Sequence, residues 1–299
     1  MTGLGNLIRR NIRLFFKDKG MFFSSLITPM ILLVLYITFL AKVHRDSFAS
    51  ALPQGLPIDT GLIDAVVSGQ LVSSLLAVSC VTVAFCSNLL MINDKVSGAI
   101  RDLTVSPVRR SVLALGYFIS SAASTLIISF TALAAGLVYV YTQGWYMTFA
   151  DVLYLILDVF LLTLFGTALS SCVNFALTTS GQASAVGTIV SAGYGFLCGA
   201  YMPISQFGDG LSRVLMFLPG TYGTSLIRNH SMAGAFRKME ETGFPTQAID
   251  GIKDAVDCRL FFFENEVALP TMYLILVGST AALIAIYVLL NKLVGGKKR

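Results

Sequence analysis

Six ionisable side chains crowd one stretch, NDKVSGAIRDLTVSPVRRSVLALG, at positions 93–116: Asp94, Lys95, Arg101, Asp102, Arg109 and Arg110. The apolar runs on either side of it, 65–93 and 111–150, carry no Asp, Glu, Lys, Arg or His. No phosphate-binding GxxxxGK[ST] pattern occurs; the terminal GGKKR lacks both the earlier glycine and the Ser/Thr that follows the lysine. There is no HExxH, no GxSxG and no metal-spaced pair of histidines. The two histidines, His44 and His230, fall where solvated outer loops are expected. None of the five cysteines has CxxC or CxxH spacing, so no metal site is expected. Cys80, Cys86 and Cys172 lie in apolar runs and read as small packing residues; Cys198 and Cys258 fall near one face, which leaves a disulfide between them open.

Asp158 stands apart. It is seven residues past Asp151 in an apolar run, about 10 Å deeper along a helix. A carboxylate there is costly and faces protein or water. It is either a pathway residue for polar or cationic cargo, or an internal hydrogen-bonding partner of Ser, Thr or Asn on a neighbouring helix.

The elements around these groups follow from composition. The chain has 299 residues, 55% hydrophobic and 12% charged, with mean hydropathy +0.77. Soluble domains carry about 25% charged residues, and repeated apolar runs of spanning length account for the deficit. An all-α membrane protein is expected. A single Trp and no basic, aromatic-rich domain argue against nucleic-acid binding. The first apolar run has about spanning length and no small-residue cleavage site, unlike a signal peptide.

Six spans are expected at 21–41, 66–92, 112–141, 151–177, 183–201 and 268–291, with Pro29 a kink candidate in the first. The polar string TTSGQ (178–182) divides a run too long for one pass, and TQGW (142–145) makes a turn. An even count puts both termini on one side. That side carries 13 Lys and Arg against 8 on the other, so the termini and the 93–106 loop are expected to be cytoplasmic. Residues 202–266 become an outer segment, read as a small helical cap in which LSRVLMFLP could dip back into the membrane. The fifth span is rich in small residues, including Gly187, Gly193, Gly195 and Gly199; they could line a pathway or dimer interface, or pack within one subunit.

Residues 3–20 form an amphipathic helix. Leu4, Leu7, Ile8, Ile12, Leu14 and Phe15 share a face, with Arg9, Arg10, Arg13 and Lys17 opposite. It suits the membrane interface, as an anchor among anionic lipids or as an elbow touching a partner. In the 93–106 loop, Asn93 is a cap candidate with Asp94 in the first turn. Val96, Ala99, Ile100 and Leu103 then form one apolar stripe, and Ser106-Pro107 restarts a helix into the third span. A plain loop needs no stripe; a docking surface does.

This order of residues resembles the cytoplasmic coupling loop of ABC type-2 exporter permeases, with Gly98, Leu103, Pro107, Val108 and Arg109 at matching places. YMPISQFGDGLSRVLMFLPGTYGTSLIRN (201–229) is similar to the family's stretch after the fifth span. The resemblance implies a coupling helix seated on a separate ATPase through Asp94, Gly98, Ile100, Arg101 and Leu103, with Pro107 and Arg109 at its turn. It further implies two ATPase subunits holding ATP and Mg, a second permease chain, identical or homologous, and outward movement of a drug, peptide antibiotic, lipid or lipid-linked glycan. A bacterial plasma or inner membrane is the expected location. The alternatives are a secondary transporter or channel, for which no inverted repeat is visible, and a membrane enzyme, for which no convergent acid, base and nucleophile set occurs.

Overall fold

The computed structural model describes residues 2–43, 45, 60–105 and 110–296. Its helices are α1 (Thr2–Lys17), α2 (Lys19–Leu35), α3 (Thr60–Val96), α4 (Ala99–Val105), α5 (Arg110–Gln143), α6 (Phe149–Ala176), α7 (Ser180–Leu197), α8 (Asp209–Leu215), α9 (Pro219–Glu241), α10 (Thr246–Ala255) and α11 (Leu269–Gly296). A small antiparallel ribbon pairs β1 (Phe261–Phe262) with β2 (Asn265–Glu266). The architecture is all-α, as the composition requires.

Among the described residues, five helical stretches are long and apolar enough to cross a membrane: Lys19–Val43, Gly61–Val96, Ser111–Gln143, Phe149–Ala176 and Leu269–Leu293. The remaining expected span corresponds to α7, which has 18 residues. That is about 27 Å at 1.5 Å per residue, against a hydrocarbon core of about 30 Å. Gln182, Ser184, Thr188 and Ser191 dilute its apolar character.

The centre of the bundle is α3, packed by α2, α5, α6, α7 and α9. Its buried hydroxyls turn back on the helix's own carbonyls: Ser68 to Ala65 at 2.9 Å, Ser79 to Leu75 at 2.7 Å, Thr82 to Val78 at 2.9 Å. Such bonds give these three hydroxyls a partner in an apolar slab. Between helices, Asn88 Nδ2 donates to Ser170 Oγ at 3.0 Å and Ser171 Oγ at 2.8 Å. Lipid tails are as apolar as leucine, so close packing and these bonds, rather than escape from water, hold the helices together.

At the first span, Pro29 lies inside α2, and the irregularity comes seven residues later as a π-turn over Tyr36–Leu40. The turn seats the Tyr36 hydroxyl on the Val67 carbonyl of α3. Asp18 separates α1 from α2 and caps α2, accepting from the Met21 N–H at 3.1 Å.

The largest departure from expectation is α9. Residues 202–266 are expected to form an outer segment in which LSRVLMFLP (211–219) could dip back into the membrane, yet it is α9, beginning at Pro219, that threads between α3, α6 and α11. Residues Gly220 to Arg228 are all buried, and Gly223 packs on Leu162 and Leu276, halfway along α6. At its far end Gly234 packs on the backbone of Tyr146. Small residues let a sequence of low mean hydropathy approach its neighbours closely, while Thr224 and Ser231 bond to the carbonyls of Gly220 and Gly69 at 3.0 and 3.1 Å. The helix therefore re-enters the bundle, a course that hydropathy alone conceals.

Candidate coupling site and cleft

At the α4 end of the bundle, the last turn of α3 is a junction. Asp94, 5% exposed, accepts two bonds from the Arg10 guanidinium, at 2.8 and 3.0 Å, and one from the Tyr117 hydroxyl at 2.5 Å. Beside it, Lys95 Nζ donates to the carbonyl oxygens of Phe175 and Leu177 at 2.8 and 3.1 Å. One residue thus fastens α3 to α1 and α5, and the next fastens it to the end of α6. The chain then breaks at Gly98, whose φ of +81° favours glycine, and α4 follows.

Two expectations are corrected here. Asn93 does not cap a new helix, because α3 continues through it to Val96. Asp94 does not face outward for a partner, because Arg10 and Tyr117 hold it inside. The stripe itself divides. Ile100 and Leu103 pack on Leu7, Leu90, Met91, Leu113 and Tyr117, while Val96 and Asp102 are exposed. Arg101 lies in α4; Pro107 and Arg109 fall outside the described residues.

The N-terminal helix buries Leu7, Asn11 and Phe15. It lies on α5, where Asn11 Nδ2 donates to Ser120 Oγ at 3.3 Å and Leu7 fills the space beside Gly116. Arg9, Arg13 and Lys17 are exposed as expected, but Arg10 turns inward. The hydrogen bonds from Arg10 to Asp94 push the guanidinium pKa further up, so it stays charged.

A cleft of about 1200 Å³ opens between α2 and α7 and runs to α10. Its walls carry Ile27, Ile31 and Leu35 from α2 and Ser184, Thr188 and Ser191 from α7. Among the described residues that line it, none is Asp, Glu, Lys, Arg or His. Gly187 lines it, and a Cβ there would meet nothing within 4 Å; the same holds for Gly193 on α7. Gly195 and Gly199, singled out as pathway or dimer candidates, are different. A side chain at Gly195 would overlap the Tyr201 ring, and one at Gly199 would press on Ile204 and Asp257. Both serve packing within this chain.

Asp158 is fully buried, and its partners are neither Ser, Thr nor Asn. Oδ2 lies 2.6 Å from His230 Nδ1, and Oδ1 accepts from the Tyr273 hydroxyl at 2.5 Å. The Tyr154 ring stacks on the imidazole at 4.9 Å. His230 is thus no solvated loop residue, because α9 carries it into the bundle; His44 falls outside the described residues. A turn or two away, Arg237 pairs with Asp151 through bonds of 3.1 and 2.5 Å.

A second buried pair escaped sequence reading. Arg228 Nη1 lies 2.9 Å from Asp257 Oδ2, and both side chains are nearly inaccessible. Asp257 also accepts from the backbone N–H of Ile204 at 2.6 Å and Ser205 at 3.2 Å, and Arg228 Nη2 donates to the Gly199 carbonyl. The available signal was Pro219 starting a stretch of small residues with Arg228 as its lone charge until Arg237. Cys198 and Cys258 are both free and buried, so the disulfide left open by the sequence is not formed. Cys198 packs in the main core and Cys258 in a separate cluster with Phe236 and Ile252. Burial pushes the Cys258 thiol up to about 12.

A family model described as ABC-2 type transporter matches residues 2–230, well over half of the chain. The chain belongs to that family and is a membrane-embedded permease subunit. No curated protein matches it. Membership implies partnership with an ABC ATPase, since permeases of this family generally lack an ATP site of their own.

Proposed function

We propose that this chain is the permease subunit of an ATP-driven exporter. Two such chains, identical or homologous, assemble with two cytoplasmic ATPase subunits that bind ATP and Mg. The cargo is amphipathic, of the class of drugs, peptide antibiotics, lipids or lipid-linked glycans, and moves outward. Both termini and α4 face the cytoplasm, in a cell membrane of bacterial type.

The observation that carries this reading is the placement of α4. It follows directly on the Asp94–Lys95 junction, which ties α3 to α1, α5 and α6. A push on α4 would therefore reach four helices through two adjacent residues. Val96, 51% exposed, and Asp102 remain turned outward as an apolar and a charged contact. The absence of charge among the cleft's described lining residues supports an amphipathic cargo, because an ionic group beside them would find no counter-charge.

The test is co-purification from mild detergent with Val96→Asp and Asp102→Arg as variants. A phosphate-loop ATPase recovered with the wild type and lost with both variants is the expected result. Its absence from the wild type would sink the reading. A proton-coupled secondary transporter is favoured by one observation, the buried Asp158–His230 pair. Under that reading, transport continues without ATP and stops with Asp158→Asn.

A further inference from the structure

At its α10 end two segments line the cleft. Met202, Pro203 and Gln206 stand on one side, in the segment after α7. Gly251, Ile252 and Val256 stand on the other, on α10 and its last residues. Asp257 follows Val256 directly. Its backbone adopts a φ of 53°, uncommon for a residue other than glycine. That conformation is held by the side chain's contacts: the carboxylate accepts from the Ile204 and Ser205 N–H groups of the opposite wall. The two walls are therefore joined through one carboxylate.

Arg228 completes the joint. Its guanidinium binds Asp257 and the Gly199 carbonyl at the root of the first wall, and α9 is itself anchored in the bundle. Ser225 Oγ adds a bond of 2.8 Å to the Asp257 carbonyl. A buried ion pair adds little to stability compared with well-packed apolar residues. Apolar side chains could join α9 to α10 equally well, but could not bind two backbone N–H groups and a carbonyl across this end of the cleft. We propose that Arg228 and Asp257 are positioning residues that set the width of the cleft's outer mouth, and that cargo leaves only when the 199–206 wall comes off Asp257. This rests on the reading of the cleft as the cargo path.

The experiment measures access to the cleft from outside. The reporter is Ser191→Cys, on the cleft face of α7, in a Cys86→Ala background, because native Cys86 also lines the cleft. The probe is a negatively charged methanethiosulfonate added to the outer side of cells or vesicles. The internal control is native Cys172, outside the cleft, with its Sγ 3.2 Å from the Leu283 carbonyl. With Asp257→Asn, the reporter is modified at least tenfold faster while Cys172 is unchanged. Ser205→Pro removes one tether and leaves the ion pair intact; it gives a smaller rise of the same kind, and it carries the test alone if Asp257→Asn does not fold. An unchanged reporter in the folded variants overturns the proposal. So does a parallel rise at Cys172, which would mean general loosening. The labelling needs no ATPase, so its failure is distinct from failure to recover one by co-purification.

Discussion

Lys95 Nζ donates to the Phe175 carbonyl oxygen at 2.8 Å. It also reaches the carbonyls of Asn174 and Leu177, at 3.4 and 3.1 Å, and lies 5.5 Å from the Phe175 ring centre. The last carbonyls of a helix lack partners within the helix and carry its negative dipole end. An ammonium there does what a C-terminal cap does, from another helix. Lys95→Met is expected to cost about 1.5–3 kcal/mol, the range for hydrogen bonds to a charged group. Amide exchange at 174–178 should then rise by at least tenfold, since about 1.4 kcal/mol is a factor of ten. Unchanged exchange there would show that the end of α6 does not depend on Lys95.

Asp94 is the other half of the junction. With Asp94→Ala, the Arg10 guanidinium and the Tyr117 hydroxyl both lose their acceptor. A loss of about 2 kcal/mol is expected, at the lower end for a charged pair because Arg10 is partly exposed. The specific consequence is loosening of α1 where Arg10 ties it to α3. Proteolysis between Lys17 and Gly20 should become faster, with α6 and α11 unaffected. Arg10→Met should reproduce the effect, while Arg9→Met, on the exposed face, should not.

How much of this was legible in sequence depends on which signal each element carries. The long apolar runs were plain, because charge is so rare that its few positions mark the ends of helices. The short amphipathic α4 was visible from Ile100 and Leu103. The roles of Asp94 and Arg10 were not, because both looked like ordinary members of solvated charged faces. Their partner is 84 positions away, and periodicity reports a face, not a distant neighbour. The course of α9 was hidden for a different reason. Its Thr, Ser, Asn and Arg residues lower its hydropathy, although each finds at least one partner within the chain. The same polarity that said "outside" serves as internal hydrogen bonding, so the His230–Asp158 and Arg228–Asp257 pairs went unread.

The Asp158–His230–Tyr273 cluster joins α6, α9 and α11. Removing one member of a buried polar pair leaves the other unsatisfied, at about 3–5 kcal/mol. His230→Ala is therefore expected to destabilise strongly. Asp158→Leu combined with His230→Phe should be more stable than His230→Ala, since it removes both polar groups together. Tyr273→Phe should cost less than His230→Ala. Chemical unfolding of the four proteins in one detergent checks the order. A double variant less stable than His230→Ala would mean that the pair is not coupled.

Outside the bundle, Arg259 donates to Glu266 through Nε–Oε1 at 3.0 Å and Nη2–Oε2 at 2.9 Å, holding that carboxyl below its usual range. A lowered pKa in the folded state stabilises fully above the ordinary glutamate value of about 4.3 and is lost as pH falls through the folded one. The pair is exposed, so the effect is small. Neighbouring Asp254 has its pKa raised by burial, and its contribution has the opposite sign. The difference between wild type and Glu266→Gln isolates Glu266. Protection of the β1–β2 ribbon, corrected for intrinsic exchange, should fall between pH 6 and 3.5 in the wild type and fall less in the variant.

Two glycines on α7 give opposite expectations from the same substitution. At Gly195 a side chain would overlap the Tyr201 ring, which lines the cleft. Gly195→Leu should destabilise by about 1–3 kcal/mol, the usual cost of overpacking. At Gly187 the space is open, and the residue faces the cleft. Gly187→Leu should leave stability of the single chain unchanged, and even gain slightly from helix propensity. It should nonetheless impair transport, because the added isobutyl group stands in the cleft. If Gly187→Leu transports normally and only Gly195→Leu fails, the small residues of α7 serve packing within the chain, and the cargo path lies elsewhere.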